Sequence, residues 1–161
     1  MQTFLPYADF AKSAQCLDRQ RLGKQRVETL QIMTALMTGK GWVNHPATLM
    51  WRRYEWALLR YQEAICAEWR YRGYQDTCLE KTRYIYDRHR RWVEEKVWPH
   101  WIGDEAFHLA HQSNLIRKDP EHYRNFFLDL RDDLPYNYPE PMADYKKLNP
   151  NPWWNPPDPA F

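Results

Sequence analysis

The sequence of 161 residues predicts an all-α fold, a compact single-domain helical bundle with an extended Pro- and Trp-rich C-terminal tail. Glycine occurs only five times, and apolar residues recur at helical spacing while strand-like alternation is scarce. Eight of the twelve prolines follow Leu134, and proline at that density excludes helix. We therefore expect a helical domain over residues 1–133 and an extended tail over residues 134–161 that packs across it.

The first helix is expected after the extended stretch MQTFLPY. It should begin near Asp9 and run to about Thr38, with a stripe of apolar residues along its buried face. Gly23 interrupts this helix at a cost of about 1 kcal/mol relative to alanine. The glycine therefore marks either a kink or a place where another group approaches the backbone.

Four further helices follow, each with its own start signal. Pro46 suits the first turn of a helix that ends at Gly73, because the missing N–H of proline would be unpaired there anyway. Thr77 and Glu80 form a capping box that opens the next helix. The last two helices are predicted over residues 104–118 and 119–129.

Net charge and cysteine content limit the classes of function. The formal net charge is only +2, so binding to nucleic acid or acidic lipid would have to come from local clusters. No apolar run approaches the roughly 18 residues that span a membrane, and no leader is evident. Three cysteines without paired spacing are typical of a reduced protein. We expect a soluble cytoplasmic monomer, associated with the nucleoid when it is bound to DNA.

The stretch LDRQRLGKQRVE carries most of the candidate DNA-binding cations. On one helix, Lys12, Arg19 and Arg26 lie seven residues apart and project from nearly one face. These three cations form a ridge suited to following a phosphate backbone, and Arg21 and Lys24 are further candidates for holding the backbone near a lesion. The alternative is an ordinary solvated helix face, which explains most charge runs of this kind.

The stretch FHLAHQSNLIRKDP mixes cations with neutral donors, as phosphate-binding surfaces do. Its candidate DNA contacts are His111, Asn114, Arg117 and Lys118. His108 and His111 are three residues apart, but no third ligand is evident, so we predict no metal site. No phosphate-binding loop or dinucleotide motif occurs, so we predict no cofactor.

A third basic segment, DRHRRW, is better explained as a solvated helix face than as a binding site. Aromatic residues make up 16% of the chain and are interleaved with all three basic segments. Most of these rings should fill the core, but some are candidates for stacking on bases. The combination favours nucleic acid as the partner.

Five strings in this sequence carry a family resemblance: TFLPY, LDRQRLGKQRVE, NHPATLMW, CAEWRYRGY and HQSNLIRKDPEHY. Over residues 1–133 the chain resembles the pyrimidine-dimer DNA glycosylases typified by phage endonuclease V, and more closely their bacterial relatives. The resemblance implies a small all-α enzyme without a cofactor. Such enzymes flip a nucleotide out of duplex DNA, cleave its glycosidic bond and break the backbone by β-elimination.

The resemblance also implies the catalytic groups. The nucleophile of the family is the N-terminal α-amino group, here that of Met1, which forms a Schiff base with the sugar. An α-amine has an ordinary pKa near 8, against about 10.4 for lysine, so more of it is neutral and nucleophilic at cellular pH. A carboxylate in the first helix assists, and arginines hold the kinked phosphates.

Two positions depart from the phage enzyme. That enzyme exposes a small second residue when its initiator Met is removed, whereas the bulk of Gln2 should keep Met1 in place. A gapless alignment of the first helices puts the phage glutamate at Gly23, where no acid stands. Glu28 is the preferred acid–base candidate and Asp18 the second, although Glu28 has the alternative of merely forming structural ion pairs.

The predicted function is a DNA-repair glycosylase with abasic-site lyase activity on damaged pyrimidines, chiefly pyrimidine dimers, in duplex DNA. Lys24 is an alternative nucleophile if nearby arginines favour its neutral amine. Two alternatives stay open for the whole protein: a glycosylase for another modified pyrimidine, and a non-catalytic DNA-binding module of the same fold.

Overall fold

A computed structural model describes residues 1–89 and 96–140. The far end of the predicted tail, residues 141–161, and part of the DRHRRW segment lie outside the described residues. The described part contains no strand, and the predicted all-α class is confirmed. Its helices are α1 (Phe10–Cys16), α2 (Arg19–Thr38), α3 (Pro46–Leu49), α4 (Glu55–Tyr71), α5 (Cys78–His89), α6 (Glu105–Lys118) and α7 (Pro120–Tyr123).

The predicted first helix is two helices, and the prediction of a single one is wrong. Asp18 is extended, and its carboxylate accepts hydrogen bonds from the backbone N–H groups of Gln20 (2.8 Å) and Arg21 (3.1 Å). Aspartate is a strong N-cap because its oxygen pairs N–H groups that have no partner within the helix. The chain therefore ends α1 and starts α2 here, so Lys12 does not continue the ridge of Arg19.

The later helices also begin and end at local signals. The predicted helix over residues 46–73 is divided into α3 and α4, and Arg53 adopts a positive φ of 72° between them. Gly73, with φ of 89°, follows the end of α4 as predicted. At the start of α5, where a Thr77 cap was predicted, the Asp76 carboxylate accepts hydrogen bonds from the backbone N–H groups of Cys78 and Leu79. The last helix, α7, ends well before residue 129.

The core is built around large rings. α2 packs against α4 and α5, and α1 packs against α4. Trp51, Tyr61 and Phe107 are fully buried, and the Trp51 ring contacts those of Tyr61 and Trp101. Within the described residues, no helix combines the length and the apolar composition that crossing a bilayer requires. Residues 1–6 belong to no helix, and side chains of α2, α4 and α6 form hydrogen bonds with them.

Candidate active site

The N-terminal segment is buried and held by side chains, although chain ends usually fray. Residues 2–6 are buried. The Trp51 indole N–H donates to the Thr3 hydroxyl (2.9 Å). His108 Nδ1 donates to the Leu5 carbonyl (2.8 Å), and the Leu5 N–H donates to His111 Nδ1 (3.2 Å). Two side chains of α6 thus satisfy both backbone polar groups of Leu5, which has no strand partner.

The side chain of Gln25, on α2, is the centre of this arrangement. Its Oε1 accepts hydrogen bonds from the Phe4 N–H (2.8 Å) and the Tyr61 hydroxyl (2.7 Å). Its Nε2 donates to the Gln2 carbonyl (2.9 Å) and to Glu28 Oε2 (3.1 Å). One buried amide therefore positions both the start of the chain and the carboxylate of Glu28.

The Glu28 carboxylate lies beside the first peptide bond. Its Oε2 accepts a hydrogen bond from the Gln2 N–H at 3.3 Å. The Gln2 side chain turns inward, where its Oε1 accepts the Thr3 N–H (2.9 Å), and only 6% of Gln2 is exposed. The α-amino group of Met1 is one residue before the Gln2 N–H that donates to this carboxylate.

A cleft of about 350 Å³ opens at this point, and we call it the terminal cleft. It brings together the predicted site residues Met1, Arg21, Lys24, Glu28 and Lys118. The other lining residues come from the N-terminal segment, α2, the start of α3 and the tail: Gln2, Phe4, Gln20, Gln25, His45, Tyr136 and Tyr138. Because cations outnumber the single carboxylate, the cleft suits an anionic ligand.

Sequence reasoning missed His45, Tyr136 and Tyr138. His45 belongs to the NHPATLMW string, and its position directly before a helix-starting proline was the available signal. Tyr138 packs edge-on against His45, with ring centroids 6.4 Å apart, and stacks with Tyr136 at 5.9 Å. Leu134 donates its N–H to the Ser113 hydroxyl. The first part of the tail therefore packs on the helical body and closes one side of the terminal cleft.

A wider, shallow groove runs along the neighbouring face of α2, and we call it the outer groove. Gly23 lies in it, and a Cβ added there would be 3.1 Å from the six-membered ring of Trp69. α2 continues through this position, so the glycine allows a close approach and does not mark a kink. The position where the phage enzyme has its glutamate is thus covered by an indole ring.

Asp18 also lines the outer groove, but its carboxylate is occupied. Besides the two backbone N–H groups at the start of α2, it accepts the Tyr123 hydroxyl (2.5 Å) and pairs with Arg21 (3.1 Å). Burial alone would raise the pKa of Asp18, but the hydrogen bonds from Tyr123 and Arg21 outweigh it and hold that pKa below its ordinary value. These contacts are those of an ionised helix cap.

The predicted cations differ in what surrounds them. Arg26 pairs with Asp76 at 2.7 Å and lies over the Trp69 ring at 4.1 Å. Arg19 lies over the Tyr74 ring at 5.1 Å and is exposed. Lys12 likewise lies over a tyrosine ring, that of Tyr7, at 4.2 Å. Arg26 is therefore a structural cation, whereas Arg19 keeps a solvent-facing charge.

The second predicted cluster is mostly internal. His111 is 1% exposed and Asn114 is 2% exposed. Burial, with a smaller contribution from His108, lowers the pKa of His111 to about 3. A neutral, buried imidazole cannot reach a phosphate outside the molecule, so we assign His111 and Asn114 to packing and not to DNA contact.

Arg117, also predicted to contact DNA, is exposed, and it donates hydrogen bonds to Asn114 Oδ1 and to the Asp132 carbonyl.

In the described part of the chain, no three potential metal ligands of the His, Cys, Asp or Glu types come together.

Comparison with known protein families identifies the family of this chain. The family model described as pyrimidine dimer DNA glycosylase matches residues 1–82, half of the chain. The match includes the N-terminal segment and α2, which supply Met1, Gln25 and Glu28. No curated protein and no solved structure matches the chain significantly. The chain belongs to the pyrimidine dimer DNA glycosylase family.

Proposed function

We propose that the protein is a DNA-repair glycosylase with abasic-site lyase activity on damaged pyrimidines, chiefly pyrimidine dimers, in duplex DNA. The α-amino group of Met1 is the nucleophile and Glu28 is the acid–base group. One observation carries the proposal: the first peptide bond is hydrogen-bonded to the Glu28 carboxylate inside a cationic cleft.

Positioning of the amine supports this assignment. A nucleophile gains rate when it is held near the reacting atom, because the entropy of orientation has already been lost. Gln25 and Tyr61 hold the Phe4 backbone, and Gln25 also holds the Gln2 carbonyl and Glu28. The chain start is therefore ordered by the same amide that orients the carboxylate.

The proposed chemistry begins with attack of the amine nitrogen on C1′ of a flipped nucleotide. The C1′–N1 bond breaks and its electron pair leaves with the base, which takes a proton from water. Glu28 accepts the proton that the amine loses and returns it to O4′ as the C1′–O4′ bond opens, which forms the protonated Schiff base. Glu28, which is a carboxylate again, then accepts a C2′ proton, and the C3′–O bond breaks so that the 3′ phosphate leaves with its electron pair by β-elimination.

Cations at the mouth of the site are suited to bind the DNA backbone. Lys24 and Lys118 are exposed and line the terminal cleft, and Arg19 extends the charge along the outer groove. Flipping a nucleotide costs a few kcal/mol, and less at a lesion whose stacking is already impaired. Phosphate contacts on both sides of the cleft offset part of that cost in a monomeric complex with duplex DNA.

Lys24 is the alternative nucleophile, because it is a second amine that lines the same cleft as Glu28. A glycosylase for another modified pyrimidine would use the same groups on a different base. A non-catalytic module would bind duplex DNA through the same cations and form no covalent adduct.

The test is strand cleavage of a duplex that carries one pyrimidine dimer, measured in single turnover. The intact mass first shows that Met1 carries a free amine. Acetylation of that amine should lower the rate at least about 1,000-fold, and Glu28→Gln should lower it roughly 100- to 10,000-fold. The matched control is Asp18→Asn, which keeps a helix-capping side chain and should stay within a few-fold of wild type.

Each contrary result has a definite meaning. Undiminished cleavage by the acetylated chain would reject Met1 and favour Lys24. Binding of the dimer duplex without cleavage by the unmodified chain would favour the binding module. Cleavage confined to other modified bases in a substrate panel would favour the second glycosylase.

A further inference from the structure

We infer that His45 is a further catalytic residue, whose Nε2–H donates a hydrogen bond to the O2 carbonyl oxygen of the pyrimidine that leaves. This inference rests on the proposed function and adds to it a group that acts on the base and not on the sugar. It concerns the glycosylase step alone.

His45 lies where such a donor is needed. It lines the terminal cleft together with Met1 and Glu28. The imidazole therefore shares one cleft of about 350 Å³ with the two proposed reacting groups. A base attached to the C1′ under attack has to lie within the same small cleft.

The hydrogen bond at Nδ1 determines which ring nitrogen of His45 carries the proton. His45 is the N-cap of α3, and its Nδ1 accepts the Ala47 N–H at 3.1 Å. An acceptor nitrogen has no proton, so the neutral ring carries its proton on Nε2. Nε2 is on the edge of the imidazole away from the start of α3, and no hydrogen bond from the described residues occupies it.

The surroundings keep the ring neutral. Burial is the largest cause that lowers the pKa of His45, the N-terminal charge lowers it further, and Glu28 opposes them. The charged and titratable groups of the cleft are Arg21, Lys24 and Glu28 from α2, Lys118 from α6, Tyr136 and Tyr138 from the tail, and the amine of Met1. Burial and the N-terminal charge together therefore disfavour a second proton on the imidazole.

Two aromatic contacts fix the plane of the imidazole. Trp42 packs edge-on against it at 6.0 Å, and Tyr138 packs edge-on at 6.4 Å. With Nδ1 tied to Ala47, the ring has little freedom to turn. A donor that is oriented before the reaction stabilises developing charge without reorganisation.

The chemistry requires no proton transfer from His45. As the C1′–N1 bond breaks, its electron pair passes to N1 and is shared with O2 through the C2 carbonyl. The Nε2–H hydrogen bond strengthens as negative charge develops on O2, and the proton stays on His45. Water then protonates the base that has left, and the proton lost by the amine still goes to Glu28.

The experiment separates the two steps of the reaction. His45→Asn and His45→Ser both retain a side chain that can cap α3, and both remove the imidazole donor. Glycosidic cleavage is measured as alkali-labile sites on a dimer duplex, and lyase activity is measured on a duplex with a preformed abasic site. His100→Asn is the matched control, since His100 lies outside the cleft and contacts Tyr54.

We expect both His45 variants to lose about 100-fold in glycosidic cleavage, as on removal of one preorganised donor. Their rate on the abasic site, which has no base to leave, should stay within about threefold of wild type. Equal losses on both substrates, or no loss on either, would overturn the inference while the proposed function stands. A wild-type chain that acts on neither substrate would overturn both.

Discussion

The terminal cleft and the outer groove share the residues of one helix, α2, but they use their polar groups differently. On the side of the outer groove, Asp18 caps the helix, and Arg26 is paired with Asp76 and lies over Trp69, a ring that lines the groove. In the terminal cleft, buried amides and imidazoles hold the chain start. There, no ion pair within the described residues joins Lys24 or Lys118 to an acid. A charge run in the sequence can therefore supply both structural and ligand-binding cations.

The strongest test of this difference changes the amide that orders the terminal cleft. Gln25→Glu is nearly isosteric, so it can still accept the Phe4 N–H and the Tyr61 hydroxyl. It cannot donate to the Gln2 carbonyl or to Glu28, which it would also repel. We expect about a 100-fold loss of cleavage rate on the dimer duplex, which corresponds to about 2.7 kcal/mol in the barrier.

Gln62→Glu is the control for that variant. Gln62 is a fully buried amide whose Nε2 donates to the Arg26 carbonyl and to the Thr82 hydroxyl, away from the terminal cleft. Its replacement places an acid in the core in the same way. Equal losses of rate in the two variants, compared at matched folded fractions, would show that Gln25 has no special role in positioning.

A second test compares two cations of α2: Arg26, which is paired with Asp76, and Lys24, which lines the terminal cleft. Arg26→Ala should destabilise the fold by about 2 kcal/mol, because it leaves the buried Asp76 carboxylate without its partner. It should leave the salt dependence of DNA binding unchanged. Lys24→Ala should have little effect on stability but lower the slope of log affinity against log salt by about 1, as expected for one lost phosphate contact.

Denaturant unfolding and DNA titration between 50 and 200 mM salt measure the two effects. The assignment of the cations to separate roles fails if Arg26→Ala changes the salt slope as much as Lys24→Ala does.

A third test uses pH to examine the imidazole that holds Leu5. The folded chain keeps His111 neutral down to about pH 3, whereas an unfolded chain protonates histidine near pH 6.5. The unfolded state therefore binds more protons between these values. Stability from this group is fully present above about pH 6.5 and is lost as the pH falls, by about 1.4 kcal/mol on reaching pH 5.5.

His111→Asn keeps an oxygen that can accept the Leu5 N–H and removes the titrating ring. We expect its free energy of unfolding to change less than that of wild type between pH 7 and 5.5, with His100→Asn as the control for loss of another imidazole. Identical pH dependence in wild type and His111→Asn would mean that His111 takes up a proton as readily in the folded state as in the unfolded chain.

The smallest expected effect is at the contact between α2 and Trp69. Gly23→Ala gains about 1 kcal/mol of helix propensity, but its Cβ would press on the indole at 3.1 Å. Trp69 has little room to move, because its Nε1 donates to the Gln75 carbonyl and Tyr74 packs on its ring. We expect a net destabilisation of under about 1 kcal/mol, and stabilisation by the same substitution when it is made with Trp69→Leu.

The sequence predicted the helical class because helical spacing depends on local residues alone. It missed the boundary at Asp18, since a capping aspartate and an aspartate on a helix surface look alike until the N–H groups that it pairs are known. It named Arg21, Lys24 and Glu28 as site residues, and all three line the terminal cleft because residues three, four or seven apart share a face of α2.

The partners of α2 were not predictable in the same way. Arg26 and Asp76 are 50 residues apart in sequence, and His111 and Leu5 are 106 apart. Such contacts depend on how the helices pack. His111 and Asn114 are residue types that often bind phosphate, but the packing of the helices buries them in the core. His45 lines the cleft because it directly precedes α3.

The most direct measurement of the central claim is the location of the covalent adduct. A duplex with an abasic site is incubated with the protein and borohydride, which reduces a Schiff base to a stable amine, and the digested adduct is mapped by mass spectrometry. We predict that the sugar remnant is on the peptide that begins with Met1, and that Gln25→Glu forms this adduct more slowly. An adduct on Lys24, or binding of the duplex with no adduct, would contradict this prediction.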